Sequence, residues 1–197
     1  ILINDKKNWI IVPVKKSEKK QINQITILDE NIHKVILKTI KQNYCKTKFF
    51  NEYWESFEDI FIKSCNTKNL SILNISIIKW ICEKLKIDCN FSNSSSYDNS
   101  QSKIERLISI NKKLNTSIYL SPIGSYDYLS EAESKFTKQN IDLVFNNYDE
   151  IKSVNEKNKL NLSIIDLLFN CGFSSKKIIS KGVGKPYNSS EINKIKT

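Results

Sequence analysis

A chain of 197 residues, 40% of them hydrophobic, can bury a sizeable core without cross-links, which excludes the class of small disulfide- or metal-stapled scaffolds. The net charge of +10 comes from 31 basic residues spread in runs no longer than pairs such as Lys15-Lys16 and Lys19-Lys20, and this dilution argues against a nucleic-acid partner. The five cysteines, Cys45, Cys65, Cys82, Cys89 and Cys171, show no Cys-x-x-Cys spacing and fit a reducing cytoplasm, while apolar runs such as Ile75 to Cys82, with Lys79 inside, are too short to cross a bilayer.

Residues 1–3 and 9–14, separated by Asn4-Asp-Lys-Lys-Asn8, read as a hairpin whose second strand is apolar enough to be buried. Residues 21–28 form a weaker strand candidate. Asp29-Glu30-Asn31 then supplies N-terminal carboxylates for a helix with Ile32, Val35, Ile36, Ile40 and Tyr44 on its core side. Residues 49–65 continue as an amphipathic helix rich in Phe, Tyr and Trp, and residues 71–86 as another, with Ser71 as its expected cap. A short strand over 88–91 leads to the Ser- and Asn-rich segment 92–102, either a mobile lid or disordered. Residues 103–114 are helical, with Ile104, Leu107, Ile108 and Asn111 facing inward; strands follow over 117–120 and 141–145, with a helix over 131–139 between them. This alternation predicts an α/β fold: a mainly parallel sheet flanked by helices, Rossmann-like, with an N-terminal hairpin and a helical insertion. A final helix spans 163–169, where Ser163 and Asp166 stand in capping relation. Residues 1–179 are predicted to form a single domain, and 180–197, which lack periodicity, a disordered or loosely packed tail. The chain contains no methionine and opens directly on an apolar run, which predicts a fragment of a longer protein.

The stretch most suggestive of a site is residues 115–129, where an apolar strand runs into Pro122-Ile-Gly124 and then a cluster of hydroxyls around one carboxylate. Ligand-binding loops of open α/β sheets sit at strand ends of this kind. Asp127 is the candidate catalytic residue, as general base or as acceptor for a sugar hydroxyl or amine, against the alternative that Ser125 or Asp127 merely caps the next helix. Ser121, Gly124 and Tyr126 are candidate substrate-binding residues that would shape the loop. Thirty of the basic residues are lysine and one, Arg106, is arginine, whose planar fork binds carboxylate or phosphate bidentately; this makes Arg106 a candidate anion ligand, one turn into its helix, against a surface salt bridge. His33, the one histidine, reads as exposed helix decoration, and Asp166 and Asn170 as a cap and a helix stop before Gly172. No metal or cofactor motif is evident: residues 180–186 lack the spacing, the hydroxyl after lysine and the helix of a phosphate loop.

Several motifs follow one another in order: Ile1-Leu-Ile-Asn with Trp9-Ile-Ile-Val-Pro13, Leu37-Lys-Thr-Ile-Lys-Gln-Asn-Tyr44, Leu70-Ser-Ile-Leu-Asn-Ile75 with Ile78-Lys-Trp-Ile-Cys-Glu83, Glu105-Arg-Leu107, Tyr119-Leu-Ser-Pro122 with Tyr128-Leu129, and Leu162-Ser-Ile-Ile-Asp-Leu-Leu-Phe-Asn170. Through them the chain resembles the WbqC-like protein family. The match runs over roughly residues 1 to 175. It departs from the family at Ile123 or Ser125, where glycine is typical, in the lysine- and asparagine-rich stretch before Leu162, and in starting after the family's first strand-helix-strand unit. The resemblance implies a role in making or decorating bacterial surface polysaccharide such as O-antigen, as a transferase that places an amino acid such as glycine, or another acyl group, on an amino sugar. The expected partner is a nucleotide- or lipid-linked sugar. The alternatives are a noncatalytic sugar-binding or scaffold protein of glycan assembly, marked by an exposed apolar patch beside residues 121–128, and a basic nucleic-acid module.

Overall fold

The computed structural model describes residues 1–4, 6–15, 20–29, 31–97, 102–148 and 162–196. The described residues of Ile1–Cys89 and Ile151–Ile179 form one compact unit, and those of Asn90–Glu150 and Ser180–Thr197 a second.

The first unit is built on helices α1 (Ile32–Tyr44), α2 (Phe50–Asn66), α3 (Leu70–Lys84) and α7 (Ile164–Cys171). Their apolar stripes meet in an aromatic core: Phe50 stacks on Trp54 at 4.8 Å between centroids, Phe57 lies 5.3 Å from Trp80, and Phe169 packs 5.1 Å from Phe50. The Trp80 indole N–H finds the Ser56 hydroxyl at 3.1 Å, so its polar end is satisfied inside that packing. α3 begins one residue before the expected cap, because the Asn69 side chain, on extended backbone, accepts from Ile72 N–H at 3.1 Å. α7 is capped by Ser163 as expected and ends at Gly172, whose φ of +56° suits glycine. Helix α8 (Ser174–Lys181) follows at once.

The N-terminal hairpin is shorter than its sequence suggests. Strands β1 (Leu2–Ile3) and β2 (Lys6–Lys7) pair antiparallel, whereas the apolar run 9–14 is not a buried strand: Trp9 and Ile11 are exposed while Ile10 and Val12 pack on the core. Its ladder reduces to a bridge between Val14 and Ile27. Residues 21–28 likewise form a 3-10 turn at Ile22–Gln24 and isolated bridges, one of them from Thr26 to Asn69. Residues 88–91 are not a strand either.

The second unit carries α4 (Lys103–Lys113), β3 (Ile118–Ser121), α5 (Tyr126–Leu129), α6 (Glu133–Thr137), β4 (Asp142–Phe145) and α9 (Ser189–Lys196). β3 and β4 are parallel, in the register Ile118 opposite Asp142 through Ser121 opposite Phe145. The α/β class and the parallel pairing are as expected, but among the described residues the parallel sheet has two strands and does not extend into a Rossmann-like one. The far side of β4 is taken by Tyr187, which exchanges backbone hydrogen bonds of 2.7 and 2.9 Å with Phe145 in an antiparallel bridge, so among the described residues the ladder stops at two strands. Phe136, Phe145, Leu129 and Ile192 are fully buried at the centre, and Tyr119 stacks on Phe136 at 5.6 Å. Ile192 belongs to the tail expected to be disordered or loosely packed. Asn188 starts that helix: its side chain accepts from Glu191 N–H at 2.9 Å while Glu191 accepts from Asn188 N–H at 2.8 Å, a reciprocal cap. Part of segment 92–102 lies outside the described residues; within it, Ser94–Ser96 make a 3-10 turn.

Candidate functional site

The loop after β3 is held by its own hydroxyls. Ser125 donates to the Pro122 carbonyl at 2.6 Å, which leaves Ser121, 1% exposed, to donate its proton to Ser125 at 2.6 Å. Tyr126 is buried, with its hydroxyl 2.6 Å from Asn193 Oδ1 and 3.2 Å from the Ser189 carbonyl, which ties the loop to α9. Ser121 and Tyr126, expected to reach a sugar, thus bond inward. Gly124 is exposed and a Cβ there would meet nothing within 4 Å, so the open space above the loop does not depend on glycine.

What remains outward is charge. Asp127 lies exposed on α5, and Lys103, from the first turn of α4, places its ammonium 3.8 Å from the centre of the Tyr128 ring. The first turn of α4 therefore does reach the loop, through a lysine the sequence reading did not single out. Arg106 is the i+3 neighbour of Lys103 on the same helix, half-buried, and its guanidinium makes no hydrogen bond or ion pair among the described residues. The amides at the start of α4 are partly occupied by a capping box: Ser102 Oγ accepts from Glu105 N–H and Glu105 Oε2 from Ser102 N–H. Those Ser102 hydrogen bonds hold the Glu105 carboxyl below its ordinary range. A ligand anion at this end would thus meet side chains, Arg106 and Lys103, more than free helix amides.

A second polar centre lies in the first unit, where the sequence reading gave only a cap and a core face. Buried Tyr44 donates its hydroxyl to Asp166 Oδ1 at 2.9 Å and accepts from Leu2 N–H at 2.9 Å. Asn170 Nδ2 bonds the Asp166 carbonyl at 2.8 Å and lies 3.4 Å from Oδ1. Burial pushes the Asp166 carboxyl and the Tyr44 phenol above their ordinary values, and the hydrogen bond between them lowers Asp166 against that trend. The signal available in sequence was Tyr44 itself, since a hydroxyl on an apolar helix face needs a buried partner. His33 is half-buried rather than exposed, and its Nδ1 has no hydrogen-bond partner among the described residues. Among the described residues no group of three or more His, Cys, Asp or Glu side chains is placed to hold a metal ion, and no helix is long and apolar enough to cross a membrane.

An α/β chain with a polar strand-end loop defines only a broad class, and comparison with known proteins narrows it. The WbqC-like protein family model matches residues 1–178, and the chain belongs to that family. It is also 28% identical over 169 residues to a protein of Mycobacterium tuberculosis (strain ATCC 25618 / H37Rv) described as "Uncharacterized protein Rv1507c", covering 83% of this chain and 72% of that one. No solved structure matches.

Proposed function

We propose that this chain acts in the making or decoration of bacterial surface glycans, as a transferase that places an amino acid such as glycine, or another acyl group, on the amine of an amino sugar. Membership of the WbqC-like family, whose name is tied to O-antigen genes, carries this reading. The outward charges of the loop supply the chemistry. Arg106, with Lys103 beside it, holds a phosphate of a nucleotide- or lipid-linked sugar. Asp127 accepts a proton from the sugar amine as its nitrogen attacks the carbonyl carbon of an activated acyl donor; the C–N bond forms, the leaving group departs with the electron pair, and the proton follows it or passes to solvent. Ser121 and Tyr126 keep the loop in shape, and Gly124 leaves room above it.

The test is to incubate the chain with a nucleotide-linked amino sugar and an acyl thioester or aminoacyl ester and to look for the amide by mass spectrometry. Product from the native chain, reduced by about two to four orders of magnitude in Asp127→Asn, supports the reading; product unaffected by that substitution removes Asp127 from it. A noncatalytic sugar-binding or scaffold role is the second reading. Its observation is the exposure of Ile118, Leu120, Ile123 and Tyr128 around the same loop, an apolar surface that fits a protein partner. Sugar binding without amide formation under all donors tried would favour it.

A further inference from the structure

A cavity of about 410 Å³ opens in the first unit, bounded by the segment after the hairpin and by α1, α2, α3 and the start of α7. Its floor is apolar: Ile36, Ile40, Phe57, Phe61 and Leu73 line it and are buried. Its mouth is different. Lys7, Asn8, Trp9, Asn74 and Ser163 also line it and are exposed, so polar groups ring an apolar interior. Lys7 is the one charged side chain among the described residues of that lining, and its ammonium lies 5.8 Å from the centre of the Trp9 ring.

We propose that this cavity binds a lipid phosphate, with the hydrocarbon tail on the buried floor and the anionic head at Lys7. Apolar walls that face an unfilled space forfeit dispersion contacts, so an apolar occupant is favoured there. A peptide segment would bring backbone N–H and C=O groups that need partners, and the floor residues offer none; a hydrocarbon brings no such demand. The mouth decides the head group, since the charged side chain in its described lining is a lysine and a cation complements an anion. The volume lies in the range of small-molecule sites. All lining residues belong to the first unit, and the site stands independently of the transferase reading of the loop.

The experiment titrates the 197-residue chain with dodecyl phosphate below its micelle concentration, followed by calorimetry and by tryptophan fluorescence, to which Trp9 at the mouth contributes. Saturable binding near one molecule per chain is expected, weakening by up to about fourfold for each methylene removed from the tail. Dodecyltrimethylammonium, with the same tail and a cationic head, is expected to bind about tenfold or more weaker, and Lys7→Glu to narrow that gap. Ile77→Trp, which fills the cavity from α3, should abolish binding while the chain still melts cooperatively; Val12→Phe fills it from the opposite wall if the first variant fails to fold. Equal binding of both head groups, binding unchanged in the filled variants, no saturable binding, or a concentration-dependent dimer that the filled variants disrupt would each overturn the proposal.

Discussion

Tyr44→Phe removes one oxygen from a site that is 2% exposed, and the consequence can be worked from its two hydrogen bonds. The bond from Leu2 N–H is neutral and contributes about 0.5–1.5 kcal/mol net, while the bond to Asp166 contributes about 1.5–3 kcal/mol when the carboxylate is charged. Leu2 is half-buried, so its orphaned N–H can turn partly to water, but among the described residues the hydrogen bond left to the Asp166 carboxylate is the long 3.4 Å contact from Asn170. The expected loss is about 2–3 kcal/mol at neutral pH. All three tryptophans, Trp9, Trp54 and Trp80, lie in the first unit, so urea unfolding followed by fluorescence reads the unit that holds the pair. The midpoint should fall by about 1 M or more at unchanged slope.

Asp166 supplies the matching pH test. Its carboxyl is raised by burial, with the Tyr44 hydrogen bond and the nearby α-amino group pulling the other way. A folded pKa above the unfolded value means that the folded state holds the proton longer. This group's contribution is therefore most favourable below the ordinary carboxylate pKa of about 4 and declines as pH rises from there through the shifted value. Asp166→Asn removes that decline and can still accept from Tyr44, so it should flatten the acid limb of the stability profile and cost little at neutral pH. A Tyr44→Phe loss below about 0.5 kcal/mol, or an Asp166→Asn profile that keeps the native slope, would refute the assignment of a buried, coupled pair.

At Gly172, φ is +56° and a Cβ would stand 2.7 Å from the Phe49 ring; Gly172→Ala should cost about 1–3 kcal/mol in thermal unfolding, and no loss would mean that Phe49 yields freely. Ile192→Ala empties a position 1% exposed in the second unit and should cost about 2–4 kcal/mol by chemical denaturation with tyrosine fluorescence, whereas a dispensable tail would show no change. Arg106→Lys should weaken binding of a nucleotide-linked sugar by about 1–3 kcal/mol in calorimetry while leaving the melting temperature nearly unchanged; unfolding without a selective loss of binding would make the arginine structural.

The helices were legible because their signals are local. The stripes of α1, α2, α3 and α4 follow helical spacing, and Ser102 with Glu105 marks a start that needs no tertiary information. Strands depend on partners, and there the reading failed: residues 9–14 are apolar enough for a buried strand, yet with a ladder reduced to the Val14–Ile27 bridge, Trp9 and Ile11 face outward. The tail erred in the other direction. Asn188-Ser-Ser-Glu191 is a capping pattern visible in sequence, but so short a helix becomes persuasive only once the buried Ile192 is seen to anchor it.

The same division between local and distant signals explains the site. The strand-end loop announced itself through Pro122 and Gly124, yet sequence could not tell which of its hydroxyls would be taken up inside the fold, because Asn193 and Ser189, the partners of Tyr126, lie more than sixty residues away. The Tyr44–Asp166 pair was hidden for the same reason: 122 residues separate its members, and any of 21 acidic residues could have met that hydroxyl. The outcome shifts the chemical weight of the loop from hydroxyls to charges. Hydroxyls that bond inward hold the loop in shape, and that support is what a loop presenting the exposed carboxylate of Asp127 to a ligand would need. If the loop binds a sugar phosphate, its selectivity should come from charge placement by Asp127, Lys103 and Arg106, and Ser121→Ala should lower stability before it alters which ligand is held.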